Sequence, residues 1–181
     1  SWNNRPFNDA EMNLLFNSAD VYINLASNEG FGLGSCEALT VGTPIIVNVT
    51  GGLQDQCGFK DDDGNLLKPE EYVELGSNHR GEYKTHGEWV KPVYPASISL
   101  QGSPPTPYIW DDRCNPEDAA KQLKSFYDLG RKERKRLGAL GTKFCRENQM
   151  TATAMGQNFI DSMNGCFENF KPRKKYSMVK V

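Results

Sequence analysis

The sequence predicts an α/β protein built on a parallel sheet, and three observations carry that expectation. Val21-Tyr22-Ile23-Asn24-Leu25 is a short β-rich run, and residues 41–49 contain Pro44-Ile45-Ile46-Val47, an almost wholly apolar stretch typical of a buried parallel strand. Between them lie about 20 residues that open with glycines and pass into the helical run Ser35-Cys36-Glu37-Ala38-Leu39-Thr40. Strand, loop, helix and strand in that order make a compact βαβ unit.

The other elements follow along the chain. Asn8 with Glu11 three residues later has the form of a capping box, and Met12, Leu15 and Phe16 recur at helical spacing, so a helix is expected over about 9–18. After Gly51-Gly52 the pattern loosens into the acidic turn Asp61-Asp62-Asp63-Gly64, proline-rich pieces and isolated aromatics (Tyr83, Trp89, Tyr94, Tyr108, Trp110). Residues 57–110 therefore read as an irregular insertion, with short strands near 66–68, 88–93 and 107–110. Asn115-Pro116-Glu117-Asp118 starts a helix with proline at its first position, and Arg131 to Arg146 forms a second. A last helix carries Met155, Phe159, Met163, Phe167 and Phe170 along one face, expected to be packing surface, so helices fill about 115–170. One domain, or part of one, is expected over 1–181, with neither repeats nor an evident linker.

Composition narrows the class. With 38% hydrophobic and 24% charged residues among 181, the chain can bury a core, and no apolar run of about 18 residues exists to span a bilayer. No basic and apolar leader opens the sequence, which does not begin with Met, so a fragment of a longer cytoplasmic protein is expected. Cys36, Cys57, Cys114, Cys145 and Cys166 lack the spacing of metal ligands or redox pairs and read as reduced thiols. The sequon Asn48-Val49-Thr50 sits beside an apolar strand and carries no weight. Charge is uneven: residues 1–80 hold 4 basic and 12 acidic side chains, residues 81–181 hold 17 and 11. The basic excess gathers in Arg131-Lys132-Glu133-Arg134-Lys135-Arg136 and in Lys171 to Lys175, where it suits a solvated face or a peripheral contact with anionic membrane. No aromatic residue interleaves the first run, which argues against nucleic acid.

The chemistry concentrates in the first strand-to-helix turn. In Gly30-Phe31-Gly32-Leu33-Gly34, glycines at 30 and 32 permit positive φ and close backbone approach, while the helix start offers unpaired N–H groups and partial positive charge. That combination cradles phosphate. Glu29 and Glu37 flank it, and a carboxylate repels phosphate but accepts hydrogen bonds from hydroxyls. Two acids beside a phosphate site fit a nucleotide sugar, whose ribose diol lies on one side of the diphosphate and whose hexose hydroxyls lie on the other.

The run Glu29-Gly30-Phe31-Gly32-Leu33, Glu37-Ala38-Leu39, Gly42-Thr43-Pro44-Ile45-Ile46, Gly51-Gly52 resembles the donor-binding signature of retaining GT-B glycosyltransferases, especially family 4. The resemblance implies a Rossmann-like C-terminal half of a GT-B fold. It further implies that Glu29, the candidate catalytic residue, contacts donor-sugar hydroxyls, that the amides of Gly30, Phe31, Gly32 and Leu33 face sugar and pyrophosphate, and that Glu37 holds the ribose. Gly51 and Gly52 would shape the opposite wall. The implied reaction moves a sugar from a nucleoside diphosphate to an acceptor (glycan, lipid or protein) with retention, and it needs neither metal nor cofactor. The family's basic Arg and Lys come well before the first Glu, where only 28 residues stand here, so that pair and an N-terminal acceptor domain are expected to be missing and the isolated chain inactive.

Two other readings compete. Gly30-x-Gly32-x-x-Ser35 approximates the fingerprint of a NAD-dependent oxidoreductase, but the carboxylate due about 20 residues on is replaced by Thr50. A non-catalytic Rossmann-like interaction module would keep the βαβ unit, yet gives no reason for two acids at a positive helix end with no Lys or Arg between Arg5 and Lys60. His79 and His86 read as surface histidines, and Asp111-Asp112 stays open between a functional and a structural role.

Overall fold

The computed structural model describes residues 6–68 and 78–172. Two compact units make up the chain, Ser1–Asn148 and Gln149–Val181.

The first unit opens with helix α1, Asp9–Ser18, held by a reciprocal capping box in which the Glu11 amide donates to Asn8 Oδ1 and the Asn8 amide to Glu11 Oε2, both at 3.0 Å. Strand β1 (Tyr22–Asn24), helix α2 (Leu33–Thr40) and strand β2 (Ile45–Asn48) then form the expected βαβ unit. A third parallel strand, β3 (Val90–Val93), completes a sheet of order β1-β2-β3, with Tyr22 opposite Ile45 and Ile45 opposite Val90. All four residues of β2 are buried, as expected of a central strand covered on both faces. Pro92 is tolerated because β3 lies at a sheet edge.

Among its described residues the segment 57–110 is more ordered than the irregular insertion expected, and the strands expected near 88–93 and 107–110 are present. It supplies β3 and most of an antiparallel hairpin of β4 (Ser97–Ser103) and β5 (Thr106–Arg113), in which Leu100 faces Trp110 across the turn at Pro104-Pro105. The hairpin's apolar residues are largely exposed, so its alternation carries little hydrophobic weight. The strand expected near 66–68 reduces to an isolated bridge between Lys60 and Leu66.

Helices α3 (Pro116–Asp128) and α4 (Gly130–Glu147) cover the sheet, packing Phe126, Leu137 and Ala119 against Ile46 and Val93. Thr142 Oγ1 donates to the Leu39 carbonyl at 2.9 Å and ties α4 to α2. In the second unit, helix α5 (Ala152–Glu168) starts at Thr151, whose side chain accepts from the Ala154 amide. Its row Met155, Phe159, Met163 and Phe167 was expected to be packing surface, but no residue of α5 is buried, and Phe170 falls beyond its end. Among the described residues, no helix is long and apolar enough to cross a membrane.

Candidate functional site

The chain leaves β1 through a side-chain turn in which the Ala26 amide donates to Asn24 Oδ1, then runs through Glu29 to the start of α2. Gly32 is the N-cap of that helix, in the left-handed region at φ 85°. A Cβ there would overlap the Leu53 side chain, so both conformation and space demand glycine. Gly30 does not use the positive φ that glycine permits there; it faces open space, with nothing within 4 Å of where a Cβ would sit. The Gly32 carbonyl accepts from the Cys36 amide at 3.1 Å and from Ser35 Oγ at 2.9 Å. No side chain caps α2, which leaves its first-turn amides to an outside acceptor.

The loop is held from behind by the 3-10 turn Gly51–Cys57. The Gly52 amide donates to the Glu29 carbonyl at 3.0 Å; a Cβ on Gly51 would overlap that same carbonyl, and one on Gly52 would stand 2.7 Å from Phe31 Cα. These two glycines thus touch the backbone of Glu29 to Phe31 directly. Buried Gln56 donates through Nε2 to the carbonyls of Phe31 at 2.5 Å and Gly32 at 3.0 Å, while its own carbonyl accepts from Trp89 Nε1 at 3.0 Å. Gln54 donates to the Gly51 carbonyl at 3.1 Å and accepts from the His79 amide at 3.0 Å. Loop carbonyls are therefore consumed by the support, and the amide end of α2 is left open.

Glu29 is half-buried, Glu37 is exposed one turn into α2, and neither forms an ion pair among the described residues. Both act on Tyr22, whose hydroxyl is held above its ordinary range by burial first, then by Glu37 and by Glu29. That hydroxyl abuts Gly34, where an added Cβ would overlap it. The structure thus gathers Glu29, Gly30, Phe31, Gly32, Leu33, Gly51 and Gly52 around one helix start with Glu37 beside it. Tyr22, Gln54 and Gln56 were not anticipated; Tyr22 reads only as a strand residue, and the glutamines carry no sequence signal.

The other candidates resolve differently. His79 is buried rather than superficial, edge-on to Phe59 at 4.4 Å, with Nδ1 accepting from the amides of Gly81 at 3.2 Å and Tyr83 at 3.4 Å. Burial lowers it to about 4, and it also lowers the half-buried His86. Asp61 to Gly64 is a turn closed by the Gly64 amide on the Asp61 carbonyl at 3.1 Å. Asp111 pairs with Arg113 at 3.2 Å, whereas buried Asp112 accepts from Thr50 Oγ1 at 2.7 Å and its amide donates to the Ser27 carbonyl, pinning the hairpin to the loop after β1. Asn48 is buried and donates to the Ala26 and Asp112 carbonyls. None of the five cysteines is in a disulfide, and among the described residues no group of three or more His, Cys, Asp or Glu is arranged to hold a metal ion. Arg5 and Arg173 to Lys175 lie outside the described residues.

Residues 6–76 match the family model of Glycosyl transferases group 1. The group 1 match contains the α1 capping box, both carboxylates and Gly51-Gly52, and it supports a GT-B glycosyltransferase and glycosyl transfer in general terms. The three-stranded parallel sheet with its helices is the Rossmann-like arrangement that such a domain requires. No curated protein matches the chain significantly.

Proposed function

We propose that this chain carries the donor-binding part of a retaining glycosyltransferase that uses a nucleoside-diphosphate sugar. One observation carries the reading: two carboxylates in no ion pair among the described residues stand beside an uncapped helix start at the carboxyl ends of parallel strands, where open α/β sheets bind ligands. The amides of Gly30 to Leu33, at the start of α2, face the sugar and the diphosphate, Glu29 accepts from sugar hydroxyls, and Glu37 accepts from the ribose diol. Gly51 and Gly52 shape the wall by setting where the Glu29 to Phe31 backbone runs. In the reaction, the bond between anomeric carbon and diphosphate breaks while an acceptor hydroxyl oxygen bonds the same face of the sugar, and the hydroxyl proton passes to the departing diphosphate oxygen. Helix-end amides stabilise the negative charge growing on the leaving diphosphate, and Glu29 orients the sugar.

A dinucleotide reading is less well supported. The acid it needs after β2 is absent; Asn48 and Thr50 stand there, and Asp112, which reaches Thr50 from β5, is already engaged by its hydroxyl.

A thermal-shift screen with UDP, GDP, ADP, their sugars and NAD tests the proposal. A sugar nucleotide is expected to raise Tm, and Glu29→Ala is expected to remove the part of the shift that the sugar adds over the bare diphosphate. Stabilisation by NAD alone, or unchanged donor affinity in Glu29→Ala, would overturn it.

A further inference from the structure

The parallel sheet has a second end. Where α1 and α2 finish and the chain enters β1 and β2, Asn17 to Asp20 and Val41 to Pro44 face α4 across an open groove of about 890 Å³. Five cationic side chains of α4 line it: Arg131, Arg134, Lys135, Lys143 and Arg146. Two acids share the groove. Asp20 is engaged by Arg134 at 3.0 Å, and Glu147 lies 3.7 Å from Lys143. Arg134 also donates to the carbonyls of Phe126 and Tyr127, so it fastens α4 in place and is not available to a ligand. Arg131, Lys135 and Arg146 remain, exposed and in no ion pair among the described residues.

Their spacing is informative. At 3.6 residues per turn, positions 131, 135 and 146 fall within about 60° of one another around the helix and span about 22 Å along it. They form one cationic row, with Ala139 and Thr142 between Lys135 and Arg146, while Leu137 and Phe144 are buried on the opposite face of α4. Arg131 and Lys132 also stand in the first turn of α4, where the helix dipole disfavours cations, so the stripe is maintained against that local preference. The carbonyl ends of α1 and α2 oppose an anion with partial charges only, which three full charges outweigh. A single phosphate cannot reach across such a length. The residues between the cations, Ala139 and Thr142, offer no aromatic surface on which bases could stack.

We infer that this groove is a binding site for an extended, multiply phosphorylated ligand lying along α4, either free in solution or presented as a row of phosphate lipid headgroups. The site is on the far side of the sheet from Glu29 and Glu37 and stands independently of the function proposed for them.

Two probes separate the sources: sodium tripolyphosphate titrated by calorimetry into the full chain, and co-sedimentation with phosphatidylcholine vesicles with or without phosphatidylglycerol. Either probe should bind. Arg131→Gln/Lys135→Gln/Arg146→Gln should weaken binding by about tenfold or more, since hydrogen bonds to charged groups are individually strong. Lys121→Gln/Lys124→Gln/Lys132→Gln removes the same charge outside the groove and should retain affinity. In the unaltered chain, bound tripolyphosphate or vesicles should shield Lys135 and Lys143 from amine acetylation while Lys60 and Lys132 stay reactive. Tripolyphosphate binding identifies a free ligand, and binding to phosphatidylglycerol vesicles alone identifies a membrane surface. Failure of both probes, equal losses in the two triple variants, or uniform shielding of all four lysines would overturn the inference.

Discussion

The two ends of the parallel sheet are built on opposite electrostatic plans. At the carboxyl ends of β1 and β2, attraction for an anion comes from backbone amides and the side chains at hand are acids. At the amino ends it comes from the cationic side chains of α4, and the backbone presents carbonyls. Backbone amides held rigidly from behind select by geometry, because they accept a phosphate only where the loop puts it. Long flexible cations select by charge and are screened by salt. On the two proposals made for it, the same sheet has one narrow anion site and one permissive one.

The largest expected effect lies in the loop support. Gly52→Val places a side chain against Gly30 and Phe31, so the chain should lose about 2–3 kcal/mol in urea unfolding and lose donor stabilisation altogether, while tripolyphosphate binding persists. Gly30→Ala sharpens the contrast. Its Cβ meets nothing within 4 Å, so stability should stay within about 0.5 kcal/mol. If Gly52→Val folds and binds normally, the loop is not held as described.

Acid comes next. Burial lowers His79 from its ordinary 6.5 to about 4, so between those values the unfolded chain takes up a proton that the folded chain refuses. The neutral ring's contribution is complete above pH 6.5 and is lost as pH falls through about 4, a change of about 3 kcal/mol by the shift alone and on the order of 2 kcal/mol once solvent screening is discounted. Since the His79 amide holds Gln54 and Gln54 holds Gly51, the donor loop should slacken along with it. Urea melts across this range should show the slope, and His79→Phe should flatten it. A slope unchanged in that variant would assign it elsewhere.

Smaller again is Glu37→Ala, expected to weaken donor binding about tenfold by removing a hydrogen-bonded carboxylate, with little change in stability. Smallest is the salt response. Raising ionic strength from about 0.05 to about 0.5 M should barely alter donor affinity but should strip phosphate ligands from the α4 stripe. Equal salt sensitivity at both ends would erase the distinction drawn between them.

How much of this was legible in the sequence depended on how local each feature is. The α1 capping box and proline-started α3 are visible because they involve residues three or fewer apart. Central strand β2 is visible because burial on both faces forces an unbroken apolar run. Strand β4 is hidden by its exposed Ser-Ile-Ser-Leu-Gln alternation, whereas β3 and β5 were legible as the short strands expected near 88–93 and 107–110. Around the site, Glu29, Gly32 and Glu37 are adjacent in sequence and readable together. Gln56 and Tyr22 are not, because their roles arise from contacts 25 and 12 residues away, with Phe31 and with Gly34, that only folding creates. His79 was misread for the same reason: nothing nearby in sequence announces the cage of Phe59, Tyr83 and Tyr94 around it.

Trp89 sits in a privileged place for observing the molecule. Its indole N–H is bonded to the carbonyl of Gln56, the residue that fastens the Phe31 and Gly32 carbonyls, and its ring lies 4.5 Å from Phe144 of α4. Indole emission responds to hydrogen bonding and solvent exposure at the ring, so this side chain is a built-in optical gauge of the loop from Glu29 to Leu33. Trp110, out on the exposed hairpin, gives a solvent-facing signal to set against it.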